Sequence, residues 1–157
     1  MDWLGVLAPS LLMVLGGLIA WVIKSKIQEL RAVEESLRGK RRKTYTEILD
    51  PYIRLFAELK TKGPNQALKK IISYDYKKTA FDLILFGSDE VVRAHNNLMK
   101  HFYEAEAKGT QDTKEMMSLW GNLLLAIRKN LGNKKTKLDE FDMLRAMIKD
   151  IDNFLSK

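Results

Sequence analysis

From Trp3 to Ile23 the chain reads WLGVLAPSLLMVLGGLIAWVI, without one ionisable side chain. A helix rises about 1.5 Å per residue, so a stretch of this length matches the roughly 30 Å of a bilayer's hydrocarbon core. Water-soluble helices carry a polar face, and here only Ser10 and small residues interrupt the apolar run. The segment alone predicts a transmembrane anchor over residues 1–23. Lys24, Lys26, Arg31 and Arg38 follow it, whereas only Asp2 precedes it. Basic residues beside a span stay in the cytoplasm, so the expected topology is single-pass, N-terminus outside and C-terminal domain cytoplasmic. A cleaved signal peptide would need a basic start and small residues after a shorter apolar core; Trp21-Val22-Ile23 stands where those small residues belong. Trp3, Trp21, Lys24 and Lys26 are the expected interfacial anchors. Gly16 and Ala20 form a small-xxx-small pair, and Ala8 joins them as the expected membrane-helix packing face. Pro9 frees one carbonyl early in the helix. No polar stripe lines any face, which argues against a water-filled pore built from this segment alone.

The charge is +7 overall and unevenly placed. Residues 24–43 hold eight Lys/Arg against Glu29, Glu34 and Glu35, and the remainder, 44–157, is close to balanced. The alkaline balance therefore belongs mostly to a basic juxtamembrane stalk, and a nucleic-acid-binding domain, which needs a basic face of its own, is disfavoured. The chain has no cysteine, which removes disulfide frameworks, thiol catalysis and thiolate metal sites together.

Within the stalk Ile27, Leu30, Val33 and Leu37 recur at three- and four-residue steps. That spacing extends the first helix past the span with one narrow apolar seam, fit to pack on its own domain or on a neighbouring chain. Gly39 weakens the helix there, and Lys40-Arg41-Arg42-Lys43 follows. These four are candidate contacts for an anionic partner, against the plainer reading of a solvated hinge and topology signal.

Beyond the stalk the patterns are helical. Thr44 with Glu47 forms a capping box ahead of Tyr45, Ile48, Leu49, Tyr52, Ile53, Phe56 and Leu59, predicting a helix start near residue 44. Pro51 either kinks that helix or opens a new one capped by Asp50. Lys62-Gly63-Pro64-Asn65 reads as a turn. A second helix is expected from Ala67, Leu68, Ile71 and Ile72, with the pattern resuming at Ala80, Phe81, Ile84 and Leu85. The run 82–86 fits a helix or a buried strand by periodicity, and helix is preferred because no second strand-like run exists to pair with it. Gly87-Ser88-Asp89-Glu90 stops one helix and starts another, carrying Val91, His95, Leu98, Phe102 and Ala105 on one face. Asp112 with Glu115 caps the next, striped by Met116, Trp120, Leu123, Leu124, Ile127 and Leu131 and ending at Gly132. Thr136 with Asp139 is the expected cap of a last helix, with Leu138, Phe141, Leu144, Ile148, Ile151 and Leu155 inward. The predicted fold is thus all-α: a single transmembrane helix (1–23), the stalk (24–43) and a cytoplasmic bundle of about five helices (44–157).

Chemistry is sparse. His95 and His101 are the only candidates for acid–base work near neutrality, and six residues apart they point about 120° away from each other. Neither stands in Glu-x-x-His or HExxH, and no P-loop, dinucleotide turn or GxSxG is present. Met99, Met116, Met117, Met143 and Met147 read as core filler. The expectation is no catalytic residue, no metal and no cofactor. Arg128 and Lys129, near a helix C-terminus, complement its dipole and are further candidates for an anionic partner.

The N-terminal apolar segment, Gly87-Ser88-Asp89-Glu90-Val91-Val92 and Leu124-Leu125-Ala126-Ile127-Arg128-Lys129-Asn130-Leu131-Gly132 together resemble small single-pass bacterial proteins of uncharacterised function. The resemblance implies a bacterial inner membrane and an all-helical cytoplasmic domain, and it transfers no catalytic residue. The leading functional expectation is a membrane-tethered, non-catalytic interaction or assembly module, with the lipid bilayer, copies of itself, or a membrane or cytoplasmic protein as partners. The alternatives are an oligomerising effector that perturbs the bilayer, of defence or toxin type, and anionic-lipid or nucleic-acid binding through the stalk.

Overall fold

The computed structural model describes residues 3–58, 73–109, 112–149 and 151–152; in the first helix the side chains described are those of residues 13 and 16–54. The elements are α1 (Trp3–Glu58), α2 (Tyr74–Phe86), α3 (Asp89–Lys108) and α4 (Thr113–Asn130). No strand occurs among the described residues, so the all-helical expectation holds, and 82–86 is helix. The expected turn at 62–65, the expected helix start at 67–72 and Leu155 lie outside the described residues. Contacts divide the chain into two compact units, Met1–Gly39 and Lys40–Lys157.

The first unit corrects the membrane reading. Among the described residues no helix is long and apolar enough to cross a membrane. A span needs about 30 Å of uninterrupted apolar helix, and exposed Lys24 and Lys26 begin the charged surface of α1 directly after Ile23. The single-pass transmembrane architecture, the inner-membrane localisation with its inside–outside orientation, and the bilayer-perturbing effector that needed oligomerised spans are not supported. Gly16 and Ala20 are exposed, as are Trp21, Lys24 and Lys26, while the side chains of Trp3 and Ala8 lie outside those described.

The second unit holds the core. The expected start near residue 44 does not occur: α1 passes through Lys40–Lys43 without a break, and Thr44, Tyr45, Ile48, Pro51 and Tyr52 are buried along it. Local capping chemistry loses here to burial, since Thr44 at 5% exposed sits inside the helix, where residues 45, 48 and 52 supply the apolar face. Pro51 is tolerated within the helix although its ring removes one ladder bond.

α2 is capped by Ser73, whose hydroxyl accepts from the Tyr76 amide at 3.3 Å. Its inward residues are Tyr76, Ala80 and Leu83; of the expected apolar set Ala80, Phe81, Ile84 and Leu85, Ala80 packs on the core and the other three face outward, together with Tyr74. Gly87 closes the helix by donating to the Leu83 carbonyl at 2.8 Å, in a place where a Cβ would meet that same backbone. Ser88 then caps α3 through the Val91 amide at 3.4 Å. Asp112 caps α4 by accepting from the Lys114 and Glu115 amides at 2.9 and 3.0 Å. α3 and α4 form the main helix–helix contact of the unit. Val91, His95 and Leu98 of α3 face Trp120, Leu123 and Ile127 of α4 in the core shared with α1.

The expected last helix is corrected as well. Residues 136–149 form turns and extended pieces, helical only at 151–152 within the described part. The reciprocal cap lies three residues later than Thr136–Asp139: Asp139 and Asp142 accept from each other's amides at 2.7 and 3.0 Å. Phe141 and Leu144 carbonyls each take both a three-residue and a four-residue bond, which keeps the segment in single turns. Tertiary contact supplies the reason. Gly121 of α4 lies against the Glu140 backbone, and a Cβ there would collide with it, so this segment is moulded onto α4 while Leu144 and Ile151 enter the core.

Candidate functional site

Three features of the second unit and one of the first are candidates. The most internal is a polar chain across the core. The Tyr52 hydroxyl meets the Tyr76 hydroxyl at 2.9 Å, and that hydroxyl meets His95 Nε2 at 3.0 Å. Met99 Sδ accepts from Tyr52 at 3.6 Å, and the Tyr52 ring packs on Trp120 with centroids 4.4 Å apart. Burial pushes both phenols up, Tyr76 to about 12 and Tyr52 further, and pushes the His95 imidazole below its ordinary value against a smaller opposing hydrogen bond from Asn96. All three groups are therefore neutral at physiological pH, and the chain acts as a satisfied polar strut joining α1, α2 and α3.

A second polar node ties α1 to the ends of α2 and α4. The Tyr45 hydroxyl donates to Asn130 Oδ1 at 2.7 Å and accepts from the Ser88 amide at 3.2 Å. Arg41 Nε donates to the Phe86 carbonyl at 2.7 Å, and the Lys40 ammonium stands 5.0 Å over the Phe86 ring. Both cations lie where α2 ends, and a helix C-terminus offers unsatisfied carbonyls and a negative dipole. Of the four basic residues expected to meet an anion, three thus have intramolecular contacts, Lys43 through an ion pair with Glu47 at 3.8 Å, and Arg42 is exposed. Arg128 Nε donates to Thr136 at 3.2 Å.

Lys129 lines a shallow open groove of about 390 Å³ between α3 and α4, with Glu90, Arg93, Asn97 and Asn122 as other polar walls and apolar Leu119 and Leu125 at its base. His101, near its end of α3, places Nδ1 3.4 Å from Glu115. The two histidines thus meet different neighbours, as their spacing requires. Among the described residues no group of three His, Asp or Glu could hold a metal ion.

The first unit carries the fourth feature. Every described side chain of Met1–Gly39 is exposed. The seam residues Ile27, Leu30, Val33 and Leu37 remain 44, 68, 54 and 37% exposed, in line with Ile23 at 54%. Lys26 pairs with Glu29 at 2.8 Å and Arg38 with Glu34 at 3.3 Å, contacts within the helix that leave the seam open. The three- and four-residue spacing that is buried at Tyr45, Ile48 and Tyr52 is thus solvent-facing between Ile23 and Leu37.

Sequence reasoning located the seam and placed His95 on the inward face of its helix. It missed the Tyr52–Tyr76–His95 chain, whose members stand 24 and 19 residues apart, and the only advance signal was a polar side chain on an apolar stripe. No family model, curated protein or solved structure matches this chain.

Proposed function

We propose that this protein is a non-catalytic helical interaction module, in which the seam Ile23–Leu37 of the first unit docks another amphipathic helix. One observation carries the reading: a regularly spaced apolar seam on a described helix is open to solvent along its length. Exposed apolar residues scattered singly need no explanation, whereas a contiguous line of them at helical spacing is the signature of helix pairing. Burying such side chains against a partner helix gains about 25 cal/mol per Å² of apolar area, an amount their exposed state leaves unused.

The test compares the full chain with an Ile27→Gln, Leu30→Gln double variant. Both residues are exposed, so the melting temperature should be unchanged. Association, read as sedimentation across a concentration series and as binding to a panel of synthetic amphipathic helices, should be lost. A chain that sediments as a monomer throughout and binds none of the peptides would remove the reading, as would a double variant that associates as well as the parent.

A further inference from the structure

The seam is bordered by charge of one sign. At about 100° per residue, Ile23, Ile27, Leu30 and Leu37 fall close to one line along α1. Lys24, Arg31 and Arg38, at seven-residue intervals, run along one border of that line, and Lys26 stands on the other beside the apolar Val33. All four cations are exposed. Glu29, beyond Val33, and Glu35, beyond Lys24, lie further round the helix. Glu34 lies within the seam, where its carboxylate is bonded to Arg38 at 3.3 Å.

Border positions of this kind meet their counterparts on a paired helix and set partner choice. Two copies of this chain would bring Arg31 or Lys26 against another Arg or Lys in either the parallel or the antiparallel arrangement, and like charges at such positions disfavour the pair. The exposed intrahelical pairs Lys26–Glu29 and Glu34–Arg38 hold their cations loosely, because surface ion pairs contribute little and exchange readily. Resting on the interaction reading above, we infer that the seam is built for an amphipathic helix of another protein whose borders carry Asp and Glu, and that it selects this partner over a second copy of itself.

The probes are three synthetic heptad peptides with one shared Ile/Leu seam and border residues that are all Glu, all Gln or all Lys. Binding to the full chain is read as the fluorescence anisotropy of a dye carried by each peptide, which leaves the seam and its borders unaltered. The Ile27→Gln, Leu30→Gln double variant serves as the control. The Glu peptide should bind roughly tenfold or more tightly than the Gln peptide, a difference of about 1.4 kcal/mol, and the Lys peptide most weakly. The preference should shrink as salt rises, since the border charges are exposed. An Arg31→Glu, Arg38→Glu variant should move the preference towards the Lys peptide.

Equal binding of the Glu and Gln peptides overturns the acidic-partner inference and leaves the interaction reading standing. Self-association tighter than binding of the Glu peptide does the same. So does binding of the full chain to vesicles of phosphatidylglycerol and phosphatidylcholine, or to a DNA or RNA oligonucleotide, when it binds no Glu peptide. Failure of all three peptides, with the chain monomeric, takes down both.

Discussion

Acidification from pH 6.5 to 5.5 is expected to destabilise this fold through His95 alone, by at most about 1 kcal/mol, the cost of an imidazole that stays wholly neutral in the folded state. The imidazole is buried in the core, its Nε2 against the Tyr76 hydroxyl, and burial holds it below the ordinary value near 6.5. In the unfolded chain it titrates normally, so below pH 6.5 the unfolded state binds a proton that the folded state excludes. Stability from this group is therefore complete above pH 6.5 and falls with pH, approaching 1.4 kcal/mol per unit, until the folded imidazole itself protonates. Tyr52 and Tyr76, both raised by burial, stay neutral over that range and offer the new cation no counter-charge. The assay is urea unfolding followed by far-ultraviolet circular dichroism at pH 7.5, 6.5 and 5.5, on the parent chain and on His95→Gln, whose amide reaches toward the Tyr76 hydroxyl without titrating. The parent-minus-variant difference cancels the other titrating groups and should shrink on acidification, by at most about 1 kcal/mol between pH 6.5 and 5.5. A flat difference, or one that grows on acidification, would refute a neutral buried imidazole.

Tyr76→Phe removes the hydroxyl that links Tyr52 to His95 and should cost about 1–3 kcal/mol in urea unfolding at pH 7.5, more than removing an exposed hydroxyl, because it leaves buried polar atoms without that partner. Gly121→Ala places a Cβ on the Glu140 backbone and should destabilise by about 1–3 kcal/mol, with amide exchange faster in residues 139–148 than in α3; unchanged exchange there would contradict the packing of that segment on α4.

The helix caps were readable from sequence because capping is local: Ser88 and Asp112 need only an amide two or three residues ahead. The α3 and α4 stripes were readable for a similar reason, since Val91, His95, Leu98 and Trp120, Leu123, Ile127 repeat at the helix period and each face meets one core. Periodicity failed on α2 for three of its four expected residues: Ala80 packs on the core, but Phe81, Ile84 and Leu85 have helical spacing as good as that of Tyr76, Ala80 and Leu83. Spacing names a face without saying which one another helix covers. It failed again at Thr44, where a good local capping box was outweighed by burial of Thr44, Tyr45 and Ile48 and by the Arg41 contact at the end of α2.

The longest uncharged stretch was also the most misleading. An apolar run predicts what environment a helix prefers, whereas among the described residues no helix is long and apolar enough to cross a membrane. The sequence by itself determined the helical class, the starts of α3 and α4 and the position of the seam, all consequences of neighbours within a turn or two. Tertiary structure alone decided which face of α2 turns inward, why the chain after α4 is kept in turns by the Gly121–Glu140 approach, and how Tyr52, Tyr76 and His95 meet. Each of those depends on groups far apart in the chain, whose encounter follows from packing and from the cost of leaving buried polar atoms unpaired.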